Sequence, residues 1–376
     1  MRVIQHRIAL AAAAVGLSAF AAAAVAIAPA AQARSQAASA RPGSTVTKIA
    51  STVPGNGDVN PYGVAVVPRT EGRLNAGNVL VSNFNNAHNQ QGTGTTIVEI
   101  SPGGKQTLFA QLNPAHLPGA CPGGVGLTTA LAILNHGWVV VGSLPTKAGN
   151  PATSKAGCLL VLDSAGKVVE TFHGNGINGP WDMTAANFGN TAGLFLTNVL
   201  NGTVAAKGKE VNRGTVLRLL VTSPANGMPR LLASTVIGSG FAQKTDPAAL
   251  VIGSTGVGLG GGGTLYVADT LGSRIAAIPN ALSRNSSDGT GRTVSKGKAL
   301  NGPLGLTIAP GGNVLTVNSG NGNLVTVTPG GRQAAVIPLD TSGSPPGAGA
   351  LFGLAIAPHG GVYFVNDATN TLNLLH

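Results

Sequence analysis

The chain has 376 residues, 43% hydrophobic and only 9% charged, with 56 glycines and a formal charge of +11. Sparse charge with abundant Gly, Asn, Thr and Val excludes a mainly helical fold, and the apolar content excludes a disordered one. The 23 basic residues are spread without adjacent runs or aromatic interleaving, so they describe a basic surface, or at most a contact for an acidic glycan or wall polymer, and no nucleic-acid partner is expected.

The first element is a targeting segment. Arg2, His6 and Arg7 form a positive n-region, an alanine-rich apolar stretch runs from Ile8 to Ala28, and Ala31-Gln32-Ala33 supplies an A-x-A cleavage site. Residues 1–33 therefore read as a secretory signal peptide cleaved after Ala33; the alternative is retention as an anchor, which the weak hydrophobicity of alanine disfavours. Residues 34–44 read as a flexible lead-in, and the mature protein as secreted, monomeric and without a stable membrane anchor. Two cysteines, Cys121 and Cys158, are all the chain contains. In an exported protein they are expected to form one disulfide.

From residue 45 onward short strands repeat. A strand-like segment, Val46–Ala50, comes first and has no local partner. Six strand openings follow, at Tyr62-Gly63-Val64, Val125-Gly126-Leu127, Trp181-Asp182-Met183, Val257-Gly258-Leu259, Leu304-Gly305-Leu306 and Phe352-Gly353-Leu354. Each leads through a turn into a second strand that ends in Asn83, Ser143, Asn198, Asp269, Asn318 or Asn366. The first unit reads as four strands, Gly63–Val67, Val79–Ser82, Thr96–Ile100 and Gln106–Ala110. The fifth repeats it as Gly305–Ala309, Asn313–Val317, Leu324–Thr328 and Gln333–Ile337. Longer loops fall at 143–157, 199–213 and 280–292.

Repeats of this length, with several strands each, predict an all-β fold, a six-bladed β-propeller over residues 45–376. The sixth unit stops at His376 after three strands, so Val46–Ala50 is expected to close the ring as its fourth. Cys121 and Cys158 then fall in loops of one face, where a disulfide is compatible with the register.

At these residues the chain resembles the NHL-repeat and streptogramin-lyase-like propellers, within the wider group that includes gluconolactonases. Pro61-Tyr62-Gly63-Val64-Ala65-Val66 is similar to their first strand, and Thr264-Leu265-Tyr266-Val267-Ala268-Asp269 to their second. Asn83-Phe84-Asn85-Asn86, Asn198-Val199-Leu200-Asn201 and Asn318-Ser319-Gly320-Asn321 resemble the D-x-x-N turn. The resemblance implies the fold. In gluconolactonases a metal-binding Asn stands between Pro and Gly, where this chain has Tyr62, Trp181 and Leu304; streptogramin lyases carry a catalytic His in such a slot, and no repeat here does. The resemblance thus transfers no catalytic residue.

The openings predict a ring of Tyr62, Val125, Trp181, Val257, Leu304 and Phe352 at the channel mouth, either an aromatic pocket for a ligand or a hydrophobic plug. Five repeats have Gly next, and the third has Asp182: either the pocket's acid, as general base or metal ligand, or a structural acceptor of backbone amides. The strand-end Asn83, Asn198, Asp269, Asn318 and Asn366 either cap turns or face a ligand or a Ca²⁺ ion, with Asp182 and Asp269 supplying charge. His88, His116 and His173 lie in loops of the same face. A Zn²⁺ site would need them to converge with Asp182, and His116 and His173 are candidate catalytic partners for it. His136 and His359 belong to the opposite face. Gly258-Leu259-Gly260-Gly261-Gly262-Gly263 matches G-x-G-x-x-G but opens no helix, so it is no dinucleotide site.

Two functions remain open. One is a secreted binding or scaffold propeller that holds a small molecule, glycan or protein at this face. The other is a metal-assisted hydrolase or lyase.

Overall fold

The computed structural model describes residues 44–376; the signal segment and nearly all of the lead-in lie outside the described residues. Six antiparallel sheets form a ring. Blade one contains β2 (Val59–Val66), β3 (Val79–Asn85), β4 (Thr96–Ile100) and β5 (Gln106–Gln111). Blade two contains β6 (Leu127–Ile133), β7 (Val139–Ser143), β8 (Cys158–Leu162) and β9 (Val168–Phe172). Blade three adds a strand: β10 (Pro180–Phe188), β11 (Thr191–Asn198), β12 (Val211–Thr222), β13 (Leu231–Asp246) and β14 (Leu250–Ile252). Blade four has β15 (Ser254–Leu259), β16 (Leu265–Asp269), β17 (Arg274–Ile278) and β18 (Arg292–Lys296). Blade five has β19 (Pro303–Ile308), β20 (Val314–Asn318), β21 (Asn323–Val327) and β22 (Gln333–Pro338). Blade six has β23 (Leu351–Ile356), β24 (Val362–Asn366) and β25 (Thr371–Leu375), and β1 (Val46–Ser51) supplies its outer strand. Val46 pairs with Leu375 and Ser51 with Thr371, so the ring closes as expected.

The hydrophobic core is divided among the gaps between blades. Each gap has its own apolar cluster, from Leu80 with Leu131 and Leu160 between blades one and two to Val81 with Tyr363 and Leu372 between six and one. A separate cluster sits on the axis, built from Tyr62, Phe84, Trp181, Val199 and Val251. Cys121 and Cys158 are bonded, with an S–S distance of 2.08 Å.

One irregularity recurs and places the site. Every inner strand bulges near its start, between Pro61 and Val64 in blade one and between the matching residues elsewhere. A bulge frees an amide from the ladder, and hydroxyls of the second strand satisfy it. Ser82 Oγ accepts from Gly63 N at 3.0 Å, and Thr197 Oγ1 accepts from Asp182 N at 3.0 Å. Both hydroxyls then donate to the next blade, to the carbonyls of Thr128 and Thr255.

The bulge also corrects the expected register in two blades. Ser254 pairs with Asp269, as Pro61 pairs with Asn83, so Thr255 rather than Val257 occupies the opening slot of blade four. In blade two Leu127 pairs with Ser143 and the bulge holds one extra residue, so Val125 and Gly126 precede the slot and Thr128 follows them into it. The crowded glycine position is taken by Gly63, Gly256, Gly305 and Gly353. A Cβ there would meet a backbone carbonyl of the next blade, of Thr129, Leu304, Phe352 and Tyr62 respectively. Gly258, expected in that role, lies two residues further along β15.

Candidate functional site at the mouth of the axis

On the face carrying the long loops, the axis ends in a cavity of about 260 Å³. Its floor is aromatic. Tyr62 stacks between Phe84 and Phe352, with ring centroids 4.2 and 3.9 Å away, and Trp181 meets Tyr62 edge-on at 6.0 Å. Tyr62 and Trp181 are each only 2% exposed. The rings plug the axis, and Tyr62, Trp181, Leu304 and Phe352 also line the cavity above the plug.

The walls come from loops. Asn85 ends β3, Asn89 and Gln91 belong to the loop that follows it, and Ala248 and Ala249 form the turn between β13 and β14. The Gln91 side chain donates Nε2 to the Ala248 carbonyl at 2.8 Å and so links the blade-one loop to the blade-three hairpin. Asn60 enters just before the bulge of β2, with φ of 61° in the left-handed region that Asn tolerates better than most residues.

The polar groups of the cavity are unevenly satisfied. The Thr255 and Thr270 hydroxyls lie 2.9 Å apart and are satisfied within the protein, by each other and by the carbonyls of Leu304 and Pro303. Trp181 Nε1, Asn60 Oδ1, Asn85 Oδ1 and Gln91 Oε1 are buried with no protein partner. Asn85 and Gln91 have committed their amide nitrogens, Asn85 to Asn89 Oδ1 at 2.6 Å. Their oxygens are therefore left as acceptors. Orphaned buried groups cost about 1–3 kcal/mol each, and the four residues that carry these line one cavity.

The cavity's only acid is Asp367, immediately after β24. Burial pushes its carboxyl up to about 7, and neither a charge nor a hydrogen bond opposes that push. Tyr62 is raised well above the usual phenol range, first by burial and then by the Asp367 charge, while the Asn60 amide acts the other way. Tyr62, Asn60 and Asp367 thus share one electrostatic neighbourhood.

Asp182, expected at this mouth, is not there. It lines a second cavity on the far side of the aromatic plug, with its Oδ1 accepting from Met183 N at 2.8 Å and Oδ2 from Val257 N at 3.3 Å. The strand-end residues Asn83, Asn198, Asp269, Asn318 and Asn366 also do not line the mouth. The four asparagines fasten the connection that enters their own blade. Asn83 donates to Thr52 O, Asn198 to Gly176 O, Asn318 to Ala299 O and Asn366 to the Asp340 carboxylate. Asp269 forms an ion pair with Arg274 at 2.7 Å.

His88, His116 and His173 are exposed. His173 borders a separate surface depression with Glu170 and Arg230. Neither it nor His116 approaches Asp182 within a common cavity. Among the described residues no three His, Cys, Asp or Glu side chains converge. A hard divalent cation wants six or more oxygens with adequate charge. The mouth offers a single carboxylate among carboxamides, so its donor set does not fit a resident Ca²⁺ or Zn²⁺.

Sequence reasoning missed Asn60, Asn85, Gln91 and Asp367. The signal for Asp367 was close at hand, because it follows Asn366 directly and carries the charge its neighbour lacks. Asn60 stands beside the Pro61 opening. Gln91 and the β13–β14 hairpin carry no repeat signal.

No family model and no curated protein matches the chain. Solved structures do resemble it. A gluconolactonase from Xanthomonas campestris superposes with a TM-score of 0.53 at 13% identity, covering 89% of this chain and 91% of that one. A streptogramin B lyase gives 0.51 at 14% identity over 89% and 97%. A PQQ-bound aldose sugar dehydrogenase from Streptomyces coelicolor gives 0.53 at 17% identity over 90% and 98%. At these identities the likeness establishes the six-bladed propeller fold that the chain shares with gluconolactonase-like and streptogramin-lyase-like proteins.

Proposed function

We propose that this chain is an exported propeller enzyme that hydrolyses a small polyhydroxylated lactone or ester at the mouth cavity, with Asp367 as its acid–base group and no resident metal. The observation that carries this reading is the set of unpartnered buried atoms: three amide oxygens and one indole N–H around one cavity. Acceptors in that majority call for a ligand rich in hydroxyl donors. The apolar surfaces of Phe352, Val251 and Leu304 suit the carbon faces of a ring. The names of the structural neighbours, a gluconolactonase and an aldose sugar dehydrogenase, point to ligands of the same size and kind.

The chemistry follows from Asp367. A carboxylate with a pKa near 7 is matched to proton transfer at neutral pH. It takes a proton from water as the hydroxyl adds to the lactone carbonyl carbon. The ring C–O bond then breaks, and the departing alkoxide recovers the proton from Asp367, leaving a hydroxy acid. Trp181 Nε1 is the donor for the carbonyl oxygen, whose charge grows as the water adds.

The test is turnover of D-glucono-1,5-lactone above its spontaneous rate in the presence of EDTA. Activity that survives EDTA and is lost in Asp367→Asn supports this reading. Retained binding without turnover in the wild-type protein favours the second reading, a binding propeller that uses the same cavity. The unpartnered amide oxygens favour that reading equally.

A further inference from the structure

Opposite the mouth lies the turn face, where the cavity beyond the plug leaves the axis as a short channel among the tight turns of the blades. Blade three does not end level with the others there. After the bulge the first two strands pair over three residues in five blades, residues 64–66 in blade one and 306–308 in blade five among them. In blade three they pair over six, residues 183–188. The extra three carry this blade about 10 Å beyond its neighbours.

The overhang is braced and apolar. Blade two holds it on one side, where Asn135 Nδ2 donates to Gly189 O at 2.8 Å and Trp138 Nε1 to Pro224 O at 2.9 Å. At its tip and on its other flanks large apolar side chains stand in solvent. Phe188 is 53% exposed, Met228 57%, Leu232 53% and Leu220 39%. Leu282 of blade four stands beside them, next to Ala281, whose carbonyl accepts from Arg218 of β12 at 3.2 Å. These are five of the nine exposed large apolar residues among the described residues.

Cations surround the tip. In blades one, two, three and five the turn into the outer strand closes on a basic residue: Lys105, Lys167, Arg230 and Arg332. In each case its carbonyl accepts from the amide that opens the turn, and its own amide donates to that residue's side chain. In blade four Arg292 starts the outer strand at the same end. All five are exposed, and none is in an ion pair among the described residues. Lys and Arg make up 23 of the 376 residues, so composition alone does not fill one slot of the repeat with them in four blades. The acids of this face are Glu71, the turn-capping Asp163, Asp288, which pairs with Arg284, and Glu99, buried against Asn75 and Asn78.

We propose that the turn face docks on an anionic lipid surface, with the blade-three tip inserted and the basic ring at the level of the headgroups. A bilayer places its charge at the boundary and its hydrocarbon beneath, the order in which this face presents cations and a projecting apolar tip. An overhang of about 10 Å matches the roughly 5–10 Å to which interfacial apolar groups enter. A soluble acidic polymer would engage the cations and leave the tip in water. A second copy docked by the same face would bring like charges together. Docked this way, the protein turns its mouth toward solvent, whatever the mouth binds.

The experiment is co-sedimentation of the mature protein with vesicles of phosphatidylglycerol and phosphatidylcholine in equal parts, and with phosphatidylcholine alone. Binding is expected on the anionic vesicles at about 0.1 M salt, and at least roughly tenfold weaker at about 1 M or without phosphatidylglycerol. Phe188→Ser with Met228→Ser should weaken it by about tenfold or more, and Arg230→Gln with Arg292→Gln by a similar factor. Leu108→Ser, on the outer strand of blade one, should leave it unchanged. Equal binding to both vesicles, indifference to salt, or loss in Leu108→Ser would each overturn the proposal. Full binding by the double serine variant would overturn it in favour of a polyanion contact. Should that variant fail to fold, Met228→Ser alone and the arginine pair decide it.

Discussion

All six inner strands line the turn-face end of the axis and five of them also line the mouth, and the two ends are chemically unlike. The channel on the turn face is made by the inner strands of the repeat itself, polar and apolar residues together, with a single carboxyl at its inner end. The mouth keeps the repeat's opening residues as its floor and adds what the repeat does not contain: the loop after β3, the β13–β14 hairpin, and Asp367 beyond β24. A propeller repeats its wall six times, so residues on the strands tend toward sameness. The loops are free to differ, and function collects in them. Both ends hold a buried carboxyl near 7, yet Asp182 accepts two backbone amides and Asp367 accepts none. The first is held in place, and the second is left for a ligand.

That contrast can be broken most severely at Asp367. Asp367→Asn should lower lactone turnover by about 10²-fold or more, with binding of the lactone retained and the melting temperature little changed. In the wild-type protein activity should rise with pH through about 7, where the carboxyl loses its proton. A variant as active as the wild type would remove the distinction between the two ends.

Asp182 gives the next largest effect, on stability rather than rate. Its folded pKa lies above the usual value of 3.8, so the folded state holds the proton more tightly than the unfolded chain. The resulting stability is complete below about pH 4 and is lost as pH rises toward 7. The loss is roughly 4 kcal/mol for a shift of this size. Asp182→Asn should remove about half of that slope, the rest belonging to Asp367, whose carboxyl is pushed up to the same range, as measured by denaturant unfolding across the range. A wild-type curve that is already flat would argue against a raised Asp182.

The disulfide sharpens the comparison because it lies on the mouth side, joining the connection before β6 to the start of β8 across 37 residues. Replacing both cysteines by serine should cost about 3–4 kcal/mol in the chain-entropy model. Chemical denaturation measures this, and lactone affinity should fall with it. Smaller still is Trp181→Phe, which removes a donor and keeps a ring. It should weaken lactone binding by about five- to tenfold, the worth of one hydrogen bond.

Much of this molecule was legible in the sequence, and the reasons are physical. Alternating apolar strands and Gly-rich turns repeat locally, so the blades, the closing strand Val46–Ala50 and the cysteine pair could be read without a structure. The strands of blades one and five fall within a few residues of their expected bounds. The site was read less well because a bulge shifts register without leaving a mark in composition. In blades two and four a Val-Gly pair imitates the opening while Thr128 and Thr255 occupy it. Asp182 was rightly singled out as unusual and wrongly assigned to the mouth. Adjacent residues at a bulge face opposite ends of the axis, Trp181 to the mouth and Asp182 to the channel. The strand-end carboxamides looked like a ring of ligands because they recur once per blade. Recurrence there reflects a shared structural task, fastening each incoming connection. Beyond the opening-slot residues, the polar residues that face the mouth, Asn60, Asn85, Gln91 and Asp367, recur in no other blade.

The indole N–H signals offer the most direct measurement. The chain has two tryptophans, and Trp138 Nε1 is already bonded to the Pro224 carbonyl at 2.9 Å while Trp181 Nε1 has no protein partner. A proton–nitrogen correlation spectrum of the protein titrated with a sugar lactone should show the Trp181 indole signal moving in a saturable way while the Trp138 signal stays fixed. Two stationary signals at saturating lactone would contradict a ligand at the mouth of the axis.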